Sequence, residues 1–284
     1  MLKESPERGS FCARIKDMES VFAMVFLFII GAMLGSFACC QVWRIRKGDK
    51  SKWSHCMNCK YQLRWYDNIP IISWLMLGGK CRKCRKKIGY AEILAEVGLA
   101  LVFALSFWFW PERVALLELN VMVCVKFALF LANLVIYTIL FIYDAKWKEL
   151  PVPLLIGACG VAAVFLGITI WQAFSLQGGF DWLSLLLALL FLPGLYYLMY
   201  RVSSESWVGG GDWILCIPLA LTLGNMWLAL MCMFLANVIG SVVMLPVAVK
   251  KKKKNMVIPF GPFLIVAFWL IYLAQGPILR FMGF

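Results

Sequence analysis

Long apolar runs separated by short polar segments are the main pattern of this chain. The runs are continuous rather than alternating, which indicates helices and not strands. About 20 helical residues cross a hydrocarbon core of about 30 Å, where only helices or closed barrels satisfy their backbone. The pattern predicts eight membrane spans: about 21–43, 93–110, 119–143, 152–171, 183–200, 213–226, 227–249 and 257–276. The sixth and seventh spans require a turn near Gly224 and Asn225.

Composition agrees with an all-α polytopic membrane protein. Of 284 residues, 63% are hydrophobic and 15% are charged, whereas a soluble domain has roughly 25% charged residues. The predicted organisation is an N-terminal tail (1–20), a first transmembrane helix (21–43), a basic cysteine-rich insertion (44–92) and a seven-helix membrane domain (93–284). Gly31 and Gly35 in the first span are typical of close helix packing.

The positive charge is distributed unevenly between the predicted loops. The segments 44–92, 144–151, 201–212 and 250–256 lie on one side of the membrane and hold 13, 2, 1 and 5 Lys or Arg residues, which is 21 of the 28. Cytoplasmic loops carry such an excess, so these segments are expected in the cytoplasm. This topology already explains the net charge of +13, and nucleic-acid binding is therefore not expected.

Four cysteines in the insertion have the spacing of a zinc site. Cys56 and Cys59 form one C-x2-C pair, and Cys81 and Cys84 form a second pair after 21 residues. Each pair presents two thiolates to one tetrahedral ion, and a cytoplasmic location disfavours disulfides. Four reduced, unligated cysteines are the alternative. His55 is the only histidine and has no ligand spacing, so a catalytic triad with a histidine base is not expected.

Two aspartates are candidates for acid/base chemistry. Asp144 closes the third span, and Asp212 opens the sixth directly after Gly209, Gly210 and Gly211. Both therefore lie at the same membrane face, where one ionised and one protonated carboxyl group could act on a water molecule. The glycines permit close approach of the backbone to the partner aspartate or to an extended substrate. Taken alone, an aspartate at a helix end is usually a cap.

Several segments, taken in order, resemble the type IV prepilin peptidases, which are membrane aspartic proteases of the G-x-G-D class. The similar segments are Gly35-Ser36-Phe37 with Arg44, Arg64 to Leu75 (RWYDNIPIISWL), Asp144 with Leu150-Pro151, Gly209 to Asp212, and Ile258 to Phe263 (IPFGPF). The chain departs from the family pattern at Cys39, Val152 and Ile214. Both aspartates that resemble the catalytic pair are present.

The resemblance implies an enzyme of the bacterial inner membrane with its active site at the cytoplasmic face. Such an enzyme removes the basic leader of prepilin or pseudopilin substrates, with Asp144 and Asp212 as catalytic residues, and methylates the new N-terminus with S-adenosylmethionine. The methyl-donor site is not indicated by any residue pattern. Two other functions remain open: a transporter or proton relay that uses Asp144 and Asp212, and a docking platform without catalysis. The nearly uniform apolar character of the spans disfavours the transporter.

Overall fold

A computed structural model describes residues 6–49, 53–175, 178–203, 209–251 and 259–283, with only the backbone for 6–17 and 247–251. The described residues form helices, a 3-10 helix (Trp65–Asn68) and two isolated β-bridges. The helices are α1 (Pro6–Lys47), α2 (Ile72–Met76), α3 (Tyr90–Trp108), α4 (Arg113–Leu117), α5 (Val121–Trp147), α6 (Val152–Ser175), α7 (Trp182–Val202), α8 (Gly210–Leu223), α9 (Met226–Lys251), α10 (Gly261–Leu273) and α11 (Gln275–Phe281).

The all-helical membrane fold predicted from the sequence is confirmed. Six described helices are long and apolar enough to cross a membrane, and α10 with α11 would form a seventh span that bends by 67°. Helix α8, the sixth predicted span, has only 14 residues, so it measures about 21 Å. It ends where predicted, because Gly224 adopts a left-handed conformation (φ 61°) that other residues rarely adopt. The side chain of Asn225 then caps α9 by accepting from the Trp227 N–H at 2.9 Å.

Two compact units divide the chain, residues 1–123 and 124–284. In the first unit, α1 packs along α3. A Cβ atom at Gly31 would lie 2.8 Å from the Ala100 Cα, and one at Gly35 would lie 2.7 Å from the Glu96 Cα. The two helix backbones therefore touch at these glycines, as the spacing of small residues predicts. Helix α1 begins at Pro6, so residues 6–20 of the predicted tail continue the helix of the first span.

In the second unit, α8 packs against α6, α7 and α10. Leu215, Leu219 and Leu223 of α8 are buried. Aromatic rings join α5 to α10, where the Phe130 and Tyr272 ring centroids stack at 4.4 Å. This surrounded position explains why α8 is apolar on every face although it is short. It also places the first turn of α8 within the bundle.

Candidate functional site

The four predicted metal ligands lie together. The sulfur atoms of Cys56, Cys59, Cys81 and Cys84 are all within 4.8 Å of one another. The Cys56 and Cys84 sulfurs are 3.8 Å apart, and those of Cys59 and Cys81 are 4.0 Å apart. Four sulfurs at about 2.3 Å from one tetrahedral zinc ion are separated by about 3.8 Å. The cluster therefore has the dimensions of a structural zinc site.

Both C-x2-C turns are built in the same way. The Lys60 N–H donates to the Cys56 carbonyl at 2.9 Å, and the Arg85 N–H donates to the Cys81 carbonyl at 3.0 Å. Each donor residue has positive φ, 58° for Lys60 and 56° for Arg85. A β-bridge closes each turn, His55 with Gln62 and Lys80 with Lys87. The sequence therefore forms two equivalent turns that each direct two sulfurs to a common centre.

The thiols of this cluster differ in acidity. The Lys86 backbone N–H donates to Cys84 and lowers its pKa to about 6. At Cys59, the Tyr61 backbone N–H acts in the same direction, but desolvation and hydrogen bonds with the other three thiols outweigh it and raise the pKa to about 11. Several neighbouring thiolates repel one another, and a bound divalent cation removes that repulsion.

Buried carboxylates outside the cluster support the metal domain. Asp67 is buried, and its Oδ1 accepts from Arg82 Nε at 2.7 Å while its Oδ2 accepts from the Arg64 N–H at 3.2 Å. Arg82 lies inside the second C-x2-C turn, so this pair fixes that turn against the 3-10 helix. Glu96 of α3 accepts from the Ile71 N–H at 2.7 Å. The sequence alone indicates no role for either acid, because Arg82 lies 15 residues from Asp67 and Ile71 lies 25 residues from Glu96.

His55 is not part of the metal cluster formed by the described residues. Its Nε2 lies 3.3 Å from Asp49 Oδ2 instead.

Asp144 lies three residues before the end of α5 and is only 4% exposed. Its Oδ2 accepts from the Gly261 N–H at 3.0 Å, at the beginning of α10. A Cβ atom at position 261 would lie 2.9 Å from that same oxygen. Glycine at this position therefore allows the α10 backbone to approach and orient the Asp144 carboxylate.

Asp212 is the third residue of α8 and is 6% exposed. Its Oδ2 accepts from the Gly209 N–H at 3.1 Å, so the carboxylate caps its own helix. A Cβ atom at Gly211 would lie 2.7 Å from the Leu150 Cβ, while one at Gly210 would be 3.4 Å from the Tyr200 ring. Of the three predicted supporting glycines, Gly211 thus leaves the least room for a side chain.

The two aspartates face a common region. The two carboxylates lie near enough to interact electrostatically. A Cβ atom at Gly261, which contacts Asp144, would also lie 3.6 Å from the Leu215 side chain, one turn beyond Asp212 on α8. Within the described residues, each carboxylate uses Oδ2 for a backbone amide and has no hydrogen-bond partner at Oδ1. Each buried carboxylate therefore has one oxygen that can hydrogen-bond to a water molecule. Such a pair can hold a proton and exchange it with that water.

Several known proteins are similar to this chain over much of its length. Residues 29–110 match the family model of the bacterial peptidase A24 N-terminal domain. A prepilin leader peptidase/N-methyltransferase of Dichelobacter nodosus is 28% identical over 81% of this chain and 74% of its own length. One of Pseudomonas putida is 24% identical over 90% of this chain and 92% of its own length.

A shorter match has higher identity. The type 4 prepilin-like proteins leader peptide-processing enzyme of Escherichia coli O78:H11 is 49% identical over 59 residues, which cover 21% of this chain and 22% of that protein. No solved structure matches this chain. The metal domain lies inside the region that matches this family model, and relatives over most of the chain have the same kind of name, so the chain is similar to the type IV prepilin peptidases over most of its length.

Proposed function

We propose that this protein is a membrane aspartic endopeptidase that removes the basic leader of prepilin-like proteins and then methylates the new N-terminus. The observation that carries the proposal is the pair of buried carboxylates, Asp144 and Asp212, held by backbone amides of two different helix beginnings. The names of the relatives support the substrate class and both activities. No relative described above is a transporter, and the transporter alternative is not favoured.

The two carboxylates would divide the proton transfers of peptide hydrolysis. The ionised aspartate takes a proton from water, whose oxygen attacks the scissile carbonyl, while the protonated aspartate donates to the carbonyl oxygen. Collapse of the tetrahedral intermediate breaks the C–N bond and transfers a proton to the leaving amine. The products are a leader with a free carboxylate and a mature protein with a free amine. Burial of both acids would strengthen these electrostatic interactions.

Methylation would use the amine released by cleavage. When bound, S-adenosylmethionine would supply an electrophilic methyl group. Its bond to the sulfonium sulfur would break as the amine nitrogen forms the new C–N bond and loses a proton, and S-adenosylhomocysteine would leave. The described residues do not indicate which side chains hold this cofactor. Zinc would be held by Cys56, Cys59, Cys81 and Cys84, whose geometry fits a structural site without an open position for substrate. The metal would therefore stabilise the domain rather than act on the peptide.

The excess of Lys and Arg in segments on one side of the membrane supports a cytoplasmic location for the metal domain and the catalytic pair. In a bacterium, the membrane that borders the cytoplasm is the inner membrane. A prepilin leader that stays in the cytoplasm can be cut there, at the cytoplasmic edge of the membrane.

The test is co-expression with a model prepilin. Asp144→Asn and Asp212→Asn should each abolish leader removal, because neither amide can take up or release the required proton. Asp181→Asn is the matched control, because Asp181 caps α7 by accepting from the Ser184 N–H at 3.0 Å and an amide oxygen preserves that bond. Leader removal is read on a gel at matched protein levels. Near-normal cleavage by either Asp144→Asn or Asp212→Asn would refute the two-aspartate mechanism.

A further inference from the structure

The metal domain exposes a group of large apolar side chains. Met76 of α2 is 82% exposed, and Trp65 of the 3-10 helix is 79% exposed. Ile72 and Leu75 of α2 are also more than half exposed. These two short helices adjoin one another, and the Ser73 N–H donates to the Ile69 carbonyl at 3.0 Å. A cluster of exposed apolar groups of this kind marks an interaction surface.

Two contacts fix α2 beside the first turns of α3. The Ile71 N–H at the beginning of α2 donates to the Glu96 carboxylate at 2.7 Å. The Trp74 ring packs against Tyr90, with centroids 5.7 Å apart. Tyr90 is the first residue of α3, and six residues to Glu96 correspond to about 9 Å along a helix. Helix α2 therefore lies level with the first two turns of a helix that crosses the membrane.

The first turns of α3 are where this candidate span begins. Leu94 lies between Tyr90 and Glu96 on α3 and is 69% exposed, so the apolar surface of this span already begins there. The exposed side chains of α2 continue an apolar surface at the same level. Apolar segments that contain Trp and Leu at such a level are typical of the headgroup region.

The charge around this surface matches anionic lipid. Residues 53–89 contain eight Lys or Arg residues and one acid, Asp67, which pairs with Arg82. Arg64 directly precedes Trp65, and Lys80 follows α2 after three residues; both are exposed. Aromatic and basic residues together are typical of the membrane interface, and cytoplasmic leaflets attract basic segments through their anionic lipids.

We propose that α2 and Trp65 form an interfacial anchor, which inserts into the headgroup region of the leaflet beside the beginning of α3 and binds anionic phospholipid. The anchor would hold the metal domain against the membrane surface. The anchor would not require peptidase activity. It depends on the position of α2 beside α3 and on the exposed side chains of α2.

Photocrosslinking of the full-length protein tests the anchor. Met76 is replaced by benzoylphenylalanine, and the protein is reconstituted in vesicles of phosphatidylglycerol and phosphatidylcholine. The same replacement at Leu94 is the positive control. Met57 is the matched control, because it is an exposed methionine of the same domain within the first C-x2-C turn. After illumination, intact mass reports any added phospholipid, and only monodisperse preparations are compared.

Positions 76 and 94 should each gain the mass of one phospholipid, while position 57 should not. In vesicles of phosphatidylcholine alone, labelling should decrease at position 76 and stay unchanged at position 94, because only the former depends on charge. Absence of a lipid adduct at position 76, or equal labelling at all three positions, would overturn the proposal. Crosslinking of position 76 to an added prepilin in place of lipid would also overturn it and make this surface a substrate site.

Discussion

The sharpest prediction concerns a glycine that orients Asp144. Gly261 is not among the glycines with positive φ, so alanine fits its backbone and the only change is the added Cβ. That atom would lie 2.9 Å from Asp144 Oδ2, closer than carbon and oxygen normally approach. The carboxylate must therefore move away from the Gly261 N–H, which now donates to it at 3.0 Å.

The size of the effect follows from the bond that is disturbed. A hydrogen bond to a charged group contributes about 1.5–3 kcal/mol. If this orientation is lost in the transition state, Gly261→Ala should slow leader cleavage by about 10- to 150-fold, since about 1.4 kcal/mol corresponds to a factor of ten. The assay is the initial rate of prepilin cleavage by purified protein in vesicles at saturating substrate.

The control is Gly194→Ala, because a Cβ atom at Gly194 meets no atom within 4 Å. This variant should cleave within about twofold of the parent, since the added methyl group meets no neighbour and alanine has a higher helix propensity than glycine. A thermal melt of each variant separates a local effect from unfolding. A folded Gly261→Ala protein with the rate of the parent would show that the orientation of Asp144 by α10 does not matter for cleavage.

Other predictions concern the metal domain. The purified protein should contain about one zinc ion, as measured by metal analysis, and a zinc-free protein prepared without chelators would contradict the site. Cys81→Ser should lower the zinc content and make the insertion sensitive to limited proteolysis, because structural zinc contributes folding energy. Asp67→Asn should speed zinc loss to a chelator by about 10- to 100-fold, as expected for a group that supports a ligand turn, whereas Lys83→Ala should not. Cys59→Ser should reduce N-methylation more than leader cleavage, because the thiols and the aspartates lie in different units. Methylation is measured from the N-terminal mass, and equal loss of both activities at matched protein levels would contradict this separation.

The sequence predicted features that depend on neighbouring residues. The cysteine cluster was predicted because each ligand pair is local and the spacing within each turn is fixed. The last predicted span ended at residue 276, just before Pro277, and α10 with α11 breaks at Ala274. The positions of Asp144 and Asp212 followed from the ends of apolar runs.

Features that depend on packing between distant elements were not predicted. The backbone donor for Asp144 lies 117 residues away, at Gly261, and the sequence marked that glycine only as part of a motif. Asp67 was placed in the basic domain without a partner, since its contact with Arg82 exists only after the two C-x2-C turns fold together. The sixth predicted span (213–226) has the same length as α8, 14 residues, but begins three residues later than the helix does, because Gly210 and Gly211 are poor helix formers.

The touching glycines of α1 and α3 have a consequence for synthesis of the protein. Gly31 and Gly35 match a surface of α3, yet 42 residues separate the end of α1 from the beginning of α3. At about 5–20 residues per second, α1 spends about 2–8 s in the membrane before its partner is made. During that interval the α1 surface at Gly31 and Gly35 has no α3 backbone to pack against. Closure of the cysteine turns shortens the tether between the two helices, so the supply of metal during translation would set how quickly the pair forms.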